Sequence, residues 1–560
     1  MVKRFLKQLL HREFSGLHEA AFLLGIFALA SQVIALLRDR YFAHLFGAGE
    51  VLDVYYAAFR VPDIIFVSIA SFVAITVIMP FLIEEEGRSK AAARRFLNTI
   101  FTVFFVAIVT LSAVMYWLMP GIIDVVYPGF SEVARADTTT LARILLLSPI
   151  FLGISNVYAS VTQSNRQFFV YAISPVLYNV GIIFGAVFLY PSFGMSGLAW
   201  GVIVGAVLHM VVQLPVVSRA GLLPRFTLNI DWVYVWRVIR LALPRTIGLS
   251  VHQGGLLVLT SLAASVAVGA VASFQLSFNL QSVPLSIIGV SYSVAAFPML
   301  ARLFTEQRTK EFTEQVLTAM RHILFWSLPV IALFVVLRAQ IVRTILGTGA
   351  FSWPDTKLVA ASLALFAVSV AAQSLILLYV RGYYAAGNTR TPVVVNVLWT
   401  IGSIALAYVL LQLFHTTPLM RYFFEAMLRV EDIPGTAILM LPLAFSLGMI
   451  GNAIMLWLLF KRDFLCTKYS RVYRAFGQSF SASVILGAVS YLVLQLMAPI
   501  VNQQTLPGIF LQGLVAGVMG LIAGVLVLYL MGNREIREAG EALRHKFWRT
   551  KVVIPDKEEL

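Results

Sequence analysis

Charged residues are scarce in this sequence. Asp, Glu, Lys and Arg make up 12% of the 560 residues, whereas 59% are hydrophobic. A soluble chain would carry roughly twice that charged fraction. The apolar residues form runs of about 18 or more, long enough to cross a hydrocarbon core of about 30 Å. Because backbone groups in lipid must be satisfied within one segment, the runs predict helices rather than the alternating strands of a β-barrel.

Cysteine and the common catalytic motifs are also lacking. Cys466 is the single cysteine, which excludes an intramolecular disulfide and a thiolate metal cluster. The sequence has no phosphate-binding loop of the ATPase type, no His-Glu-x-x-His and no Gly-x-Ser-x-Gly. It has no Asp-Asp pair of the kind that holds magnesium on a polyprenyl diphosphate. We therefore expect no enzyme activity, no cofactor and no metal.

The apolar runs between residues 20 and 531 predict an all-α polytopic membrane protein with about 14 transmembrane helices. The net charge is +15, but the basic residues lie mostly in loops on the side of the N-terminus. Such asymmetry indicates membrane topology rather than a nucleic-acid partner, and it predicts that both termini are cytoplasmic. Residues 1–16 are basic and amphipathic, which predicts a helix on the membrane surface. The expected location is the bacterial inner membrane.

Prolines and glutamines recur at a constant offset. About 220 residues separate the members of each pair: Pro62 and Pro284, Pro80 and Pro298, Pro175 and Pro392, Gln32 and Gln253. The offset predicts two six-helix lobes around a central cavity, at residues 17–218 and 219–462. Two further helices follow in 463–532, then a cytoplasmic tail, 533–560. Prolines bend membrane helices, and matched bends fit lobes that rock. The alternative is that prolines are simply common in such helices.

Polar residues concentrate on the first, second, seventh and eighth predicted spans, often on one helix face. These four spans cover residues 20–37, 54–83, 242–268 and 270–300. Because ionisable groups in membrane helices usually face an interior or a water-filled cavity, we expect these spans to line one. The candidate substrate-binding residues are Gln32, Arg38, Asp39, Asp53, Arg60, Arg245, Gln253 and Asn279. Alternatives remain open for several of them. Polar stripes also form interhelical hydrogen bonds, Arg60 could form a structural pair with Asp53 or Asp63, and Arg245 could be a positive-inside anchor.

Arg38 and Asp39 follow the predicted first span, which ends at residue 37. This placement puts them at the outer end of the helix, where a long side chain reaches the membrane surface at little cost. A purely positional role is therefore as reasonable for them as substrate binding.

Two segments resemble the MurJ (MviN) lipid II flippase family, in the superfamily that also holds multidrug/toxin extruders. The first runs from Ser31-Gln32-Val33 through Leu37-Arg38-Asp39 and Leu45-Phe46-Gly47-Ala48-Gly49 to Phe59-Arg60-Val61-Pro62-Asp63. The second is Arg381-Gly382-Tyr383-Tyr384-Ala385-Ala386-Gly387-Asn388-Thr389-Arg390-Thr391-Pro392, preceded by Gly349-Ala350-Phe351. The resemblance covers residues 17 to 462 in order and spacing.

The resemblance implies two lobes with a cavity open to one side at a time. It also implies loading of an undecaprenyl-linked glycan lipid from the cytosol. Membrane lipids are expected partners. The sequence does not decide between the membrane potential, sodium and protons as the driving force, and cell-wall synthases are a further candidate partner. Three family arginines are replaced here, by Gln32, Phe66 and Asn279, whereas Arg38 and Arg60 are retained. The departures leave two other readings open: a cation-coupled drug extruder and a non-transporting cell-wall scaffold.

Overall fold

The computed structural model describes residues 17–70, 72–464, 469–538 and 540. The predicted helix over residues 1–16, Cys466 and the tail after residue 540 lie outside the described residues.

The described residues fold into helices joined by short turns. Those of the first half are α1 Leu17–Phe46, α2 Glu50–Ile65, α3 Ile75–Arg88, α4 Lys90–Val126, α5 Glu132–Leu145, α6 Leu147–Ser164, α7 Phe168–Phe184, α8 Tyr190–Phe193, α9 Met195–Val211, α10 Leu214–Ala220 and α11 Trp232–Ala264. Those of the second half are α12 Ala270–Pro284, α13 Ser291–Thr305, α14 Thr309–Val336, α15 Arg338–Leu346, α16 Trp353–Ala367, α17 Val370–Ala385, α18 Arg390–Thr416, α19 Pro418–Leu428, α20 Met440–Phe464, α21 Ser470–Met497 and α22 Leu506–Leu530. The all-α membrane fold predicted from the sequence is confirmed.

Eleven helices of the described part are long and apolar enough to cross a membrane, and counting the bent pair α16 and α17 as one span raises the number to 12. These candidates coincide with the third to fourteenth predicted spans, which lie between residues 99 and 531. Predicted spans 1 and 2 fall on α1 and on the segment from α2 to α3. The count of about fourteen therefore stays a prediction.

Helices α2 and α12 are both interrupted just after a proline. Pro62 lies in the last turn of α2, and π-helical residues Phe66–Ala70 follow. Pro284 ends α12, and π-helical residues Leu285–Val290 follow. A proline removes one backbone hydrogen bond, and a widened turn is a common response in a membrane helix. The matched prolines thus coincide with matched distortions of the helices.

Backbone contacts divide the chain into two compact units. The first holds the described residues up to Val283 together with Val342–Phe366 and Asn388–Asn452. An aromatic cluster in its core brings Phe366 to 5.1 Å from Phe274 and to 5.4 Å from Phe445, between ring centroids. All eight candidate substrate-binding residues lie in this unit, whereas the lobe boundaries at residues 218 and 462 stay a prediction.

The second unit holds Pro284–Ile341, Ala367–Gly387 and the described residues from Ala453 on. Helices α14, α21 and α22 pack together in it, with Phe325, Ala482 and Leu528 in their core. A buried ion pair joins Arg321 to Glu535 at 2.9 Å. Leaving either charge unpaired in this setting would cost several kcal/mol, on the order of 3–5. The segment after α22 is therefore fixed against α14.

Candidate substrate-binding cavity

Arg38 and Asp39 lie inside α1 rather than at its end. The helix continues to Phe46, about two turns further than the sequence predicted, and Asp39 is only 3% exposed. The Arg38 Nε and Nη2 groups donate to Asp39 Oδ1 at 3.0 and 2.8 Å, and Nη1 donates to Asn179 Oδ1 at 3.0 Å. The helix therefore ends beyond this pair, and partners inside the protein hold both side chains, which disfavours a purely positional role.

The Arg38–Asp39 pair continues into a hydrogen-bonded chain that crosses to α12. Asn279 Nδ2 donates to Asp39 Oδ2 at 2.9 Å, and Gln275 Nε2 donates to Asn279 Oδ1 at 2.7 Å. Arg60 Nη2, on α2, donates to Gln275 Oε1 at 2.5 Å. Four helices, α1, α2, α7 and α12, thus meet through one polar network.

The network borders a cavity of about 140 Å³. Its lining consists of Arg38, Tyr55, Tyr56, Phe59, Arg60, Asp63, Tyr178, Ile182, Gln275 and Asn279. Two guanidinium groups and one carboxylate face this space, together with tyrosine rings and two carboxamides. Guanidinium groups hold phosphates through paired, charge-assisted hydrogen bonds, and tyrosine faces suit sugar or aromatic surfaces.

Arg60 carries hydrogen-bonding capacity that the protein does not use. Its side chain is 7% exposed, and Nε has no hydrogen-bond partner among the described residues. Within the described chain, neither Asp53 nor Asp63 forms an ion pair with it. A hydrogen-bonded Arg60–Asp pair is therefore absent from the described residues, although Asp63 lines the same cavity and attracts the guanidinium electrostatically. A guanidinium held by a single carboxamide is available to an anionic ligand.

Asp53 has a different position from the one expected of a ligand-binding residue. Its Oδ2 accepts from the Gly269 backbone N–H at 2.6 Å, and its Oδ1 accepts from that of Ala272 at 2.7 Å. These are the otherwise unpaired N–H groups at the start of α12, where a carboxylate is favoured by the helix dipole. Asp53 does not line the cavity and instead caps a helix.

Further contacts close the same end of the first unit. Arg40 Nη1 donates to the carbonyl oxygens of Thr344 and Ile345 at 2.6 and 3.0 Å, and Ala350 N donates to the His44 carbonyl at 2.9 Å. Gly269 adopts φ +84°, and a Cβ there would lie 2.1 Å from the Ala48 carbonyl oxygen. Only glycine fits this approach. The contacts join helix ends from both predicted lobes.

Three other sequence candidates lie away from the cavity lining. Gln32 on α1 and Gln253 on α11 are half-buried, and Arg245 is exposed. Conversely, sequence reasoning missed Tyr55, Tyr178 and Asn179 as partners of this site. The only sequence signal for Asn179 is its place four residues after Pro175, which Asn396 repeats after Pro392. The structure thus unites Arg38, Asp39, Arg60 and Asn279, and leaves Gln32, Asp53, Arg245 and Gln253 outside the lining.

Arg245 can be tested as a phosphate contact against its alternative as a membrane anchor. If it contacts phosphate, Arg245→Lys and Arg245→Ala should both lose much of the transport, because lysine lacks the guanidinium fork. If it is an anchor, Arg245→Lys should transport normally. The measurement is growth of a depleted host carrying each variant. Normal growth with both variants would remove Arg245 from the site.

Kinked membrane helices around a small charged cavity define a transporter of the kind that encloses its solute within the membrane. Comparison with known proteins gives the family. The model of the family "Lipid II flippase MurJ" matches residues 42–516, and the chain belongs to this family.

Relatives and solved structures agree with this assignment. "Lipid II flippase MurJ" of Burkholderia cenocepacia is 27% identical over 376 residues, which cover 66% of this chain and 73% of the relative. "Probable lipid II flippase MurJ" of Rhizobium tropici is 28% identical over 379 residues, 65% of this chain and 70% of the relative.

The fold is similar to that of two kinds of solved transporter. A lipid II flippase MurJ structure in an inward closed conformation has a TM-score of 0.72 at 20% identity, covering 92% of this chain and 99% of that one. A multidrug resistance MATE family transporter in an inward-facing conformation has a TM-score of 0.63 at 15% identity, covering 79% and 96%. Both kinds share the fold, but the family model matches the flippase.

Proposed function

We propose that this protein moves lipid II, or a closely related undecaprenyl-diphosphate glycan, from the cytoplasmic to the outer leaflet of the bacterial inner membrane. The observation that carries the proposal is the cavity between Arg38 and Arg60, in a chain of the lipid II flippase family. Dragging an isolated ion through hydrocarbon costs on the order of ten kcal/mol or more. A polar cavity replaces water around the head group while the polyprenyl tail stays in lipid.

The arrangement of charges favours an anionic head group. Arg38 is already held by Asp39 and Asn179, so its role is to fix the network. Arg60 has the unused Nε donor and is the residue placed to contact phosphate directly. With the family arginines replaced by Gln32, Phe66 and Asn279, Arg60 is left to make the direct contact. Asn279, one of these three replacements, links Asp39 to Gln275 through two hydrogen bonds.

The size of the cavity indicates that it must open to bind cargo. A volume of about 140 Å³ holds only a few water molecules of about 30 Å³ each. A disaccharide-peptide head group needs several times more space. The hydrogen bonds of Asp53 and Arg40 hold the helices together at one end of the first unit. The topology predicted from the basic residues places that end on the outer side of the membrane. Loading would then take place from the cytoplasmic side, with release after these contacts break.

The cation-coupled drug extruder is the second candidate, since transporters of that kind share the fold. Cationic drugs would require carboxylates and aromatic rings facing the cavity. Of the carboxylates at this site, Asp39 is neutralised by Arg38 and Asp53 is occupied as a helix cap. Asp63 alone remains on the lining. Arg60 balances that carboxylate in charge, and its unused Nε donor is what supports the lipid-linked anion. The driving force we propose is the membrane potential or a sodium or proton gradient, with cell-wall synthases as partners that receive the product.

Depletion of the protein in its native host tests the proposal. We expect lipid II, or the related diphosphate glycan, to accumulate in the inner leaflet, where a reagent added from outside cannot reach it. Mass spectrometry of extracted lipids identifies the accumulated species. An unchanged pool of lipid-linked precursors would contradict the proposal, and accumulation of drug substrates with normal precursors would favour the extruder.

The predicted orientation has its own test at the turn between α17 and α18. Gly387 adopts φ +73°, and Asn388 Oδ1 accepts from the Thr391 backbone N–H at 3.1 Å. In a Cys466→Ser background, Asn388→Cys should react with a membrane-impermeant maleimide only after the membrane is opened. Labelling in intact cells would reverse the whole topology and place the closed helix ends on the cytoplasmic side.

A further inference from the structure

A second candidate site lies on the start of α11. The helix begins at Trp232, whereas its apolar membrane-crossing part is Arg245–Ala264. Residues 232–244 therefore extend beyond the span, on the side that the sequence topology assigns to the cytoplasm. Asp231 caps this extension through a 3.1 Å bond from the Val233 N–H. Tyr234 packs edge-on against Phe96 of α4 at 5.3 Å between ring centroids, which fixes the rotation of the helix.

One face of the extension is buried and the other is open. Val235, Val238 and Ala242 are 4% exposed or less. The opposite face forms a trough of about 880 Å³, lined by Phe81, Trp232, Val233, Trp236, Arg237, Arg240 and Leu241. Trp232 and Trp236 are 61% and 64% exposed. We call this surface the α11 trough.

The α11 trough combines an apolar floor with two unused cations. Arg237 and Arg240 are three residues apart, so they lie on the same side of the helix. Within the described residues neither makes a hydrogen bond or an ion pair. On α3, Arg88 binds Glu84 at 2.7 Å and Glu85 at 2.8 Å, and the described lining of the trough contains no carboxylate. The trough is therefore positively charged where it meets the membrane surface.

We propose that the α11 trough is a loading site for the cargo before it enters the cavity. This inference rests on the proposed function. Arg237 and Arg240 bind the two phosphates of a polyprenyl diphosphate, and the polyprenyl chain lies along Trp232, Trp236 and Phe81. Each guanidinium presents a planar fork that matches one phosphate.

The position of the trough favours cargo over bulk phospholipid. Phe81 belongs to α3, which continues the span that carries Arg60, and the trough otherwise consists of α11. Helix α11 contacts the second predicted span through Ser250, whose hydroxyl lies 2.8 Å from that of Ser68. Both helices of the trough thus lead from the membrane surface toward the network around Arg60. A site for ordinary lipid would require neither two matched cations nor this continuity.

Binding of undecaprenyl diphosphate to the full-length protein in neutral phosphatidylcholine nanodiscs tests the inference. The double variant Arg237→Gln/Arg240→Gln should weaken binding by about tenfold or more, as expected for the loss of two charge-assisted contacts. The matched control is Arg471→Gln/Arg474→Gln, another exposed pair three residues apart at the start of a helix. Its affinity should equal that of the wild type. The Arg60→Ala background separates trough binding from cavity binding.

Three results would overturn the loading site. Unchanged affinity in the Arg237→Gln/Arg240→Gln variant would show that the trough does not bind the diphosphate. An equal loss in the control pair would show a non-specific effect of surface charge. Competition by phosphatidylglycerol at equal concentration would make the trough a general anchor for anionic lipid. In reconstituted transport, a loading site predicts a higher KM with an unchanged maximal rate in the double variant. If the wild type binds but transports nothing, the proposed function fails and the trough stands as a binding site.

Discussion

Arg60→Ala should abolish complementation of a depleted host while the protein still reaches the membrane. The guanidinium is buried, lines the cavity and keeps one donor free for the head group. A hydrogen bond to a charged group contributes about 1.5–3 kcal/mol, so losing the phosphate contact should reduce transport by about tenfold or more. Growth of the host and the initial rate of transport are the measurements.

Two variants make this result specific. Arg60→Lys keeps the charge and should retain part of the transport, although lysine lacks the forked geometry. Arg302→Ala removes an exposed arginine that pairs with Glu306 at 2.7 Å, and it should behave as wild type. Wild-type transport by Arg60→Ala would remove Arg60 from the binding site and leave the cavity without its direct phosphate contact.

Asp53→Ala should also have a large effect, for a conformational reason. The Asp53 carboxylate accepts two backbone N–H groups at the start of α12. Removing it leaves both donors buried without an acceptor, which costs about 1–3 kcal/mol each. Because the bonds join α2 to α12 at the closed helix ends, the cost falls on the closed state. We expect a shift toward the state that is open at this end, together with slower transport.

The shift is measurable as access to the cavity. In a Cys466→Ser background, Phe59→Cys on the lining should react faster with an external maleimide when Asp53→Ala is present. Glu50→Ala is the matched control, since Glu50 lies in the first turn of the same helix and bonds only Ser131 among the described residues. Equal labelling rates in the two variants, with both proteins folded, would show that Asp53 does not hold this end closed.

Hydropathy predicted most of the fold, because continuous apolar runs have few alternatives in lipid. The end of α1 was misplaced because Arg38, Asp39 and Arg40 looked like the end of a span. In the structure Asp39 is neutralised by Arg38 and also accepts a hydrogen bond from Asn279, and Arg40 donates to the carbonyl oxygens of Thr344 and Ile345. Charges that are paired in this way no longer end a membrane helix.

The types of residue that form the site were predictable from the sequence, but the residues that they contact were not. The polar stripes identified Arg60 and Asn279, since arginine and asparagine are costly in hydrocarbon. No sequence pattern predicts that Asn279 bonds Asp39, about 240 residues earlier in the chain. It also could not distinguish Asp53, a helix cap, from Asp63, a cavity residue, because both lie on one face of the same helix. Their roles depend on which helix packs opposite, and only tertiary structure supplies that.

Transfer of lipid II across the bilayer of proteoliposomes is the decisive measurement for the proposed flippase activity. Fluorescent lipid II would be placed in the inner or outer leaflet, and its appearance in the other leaflet would be followed by a membrane-impermeant quencher. We predict time-dependent transfer with the wild type, loss of transfer with Arg60→Ala and normal transfer with Arg302→Ala. Transfer that is absent with the wild type, or equal with Arg60→Ala, would contradict the account.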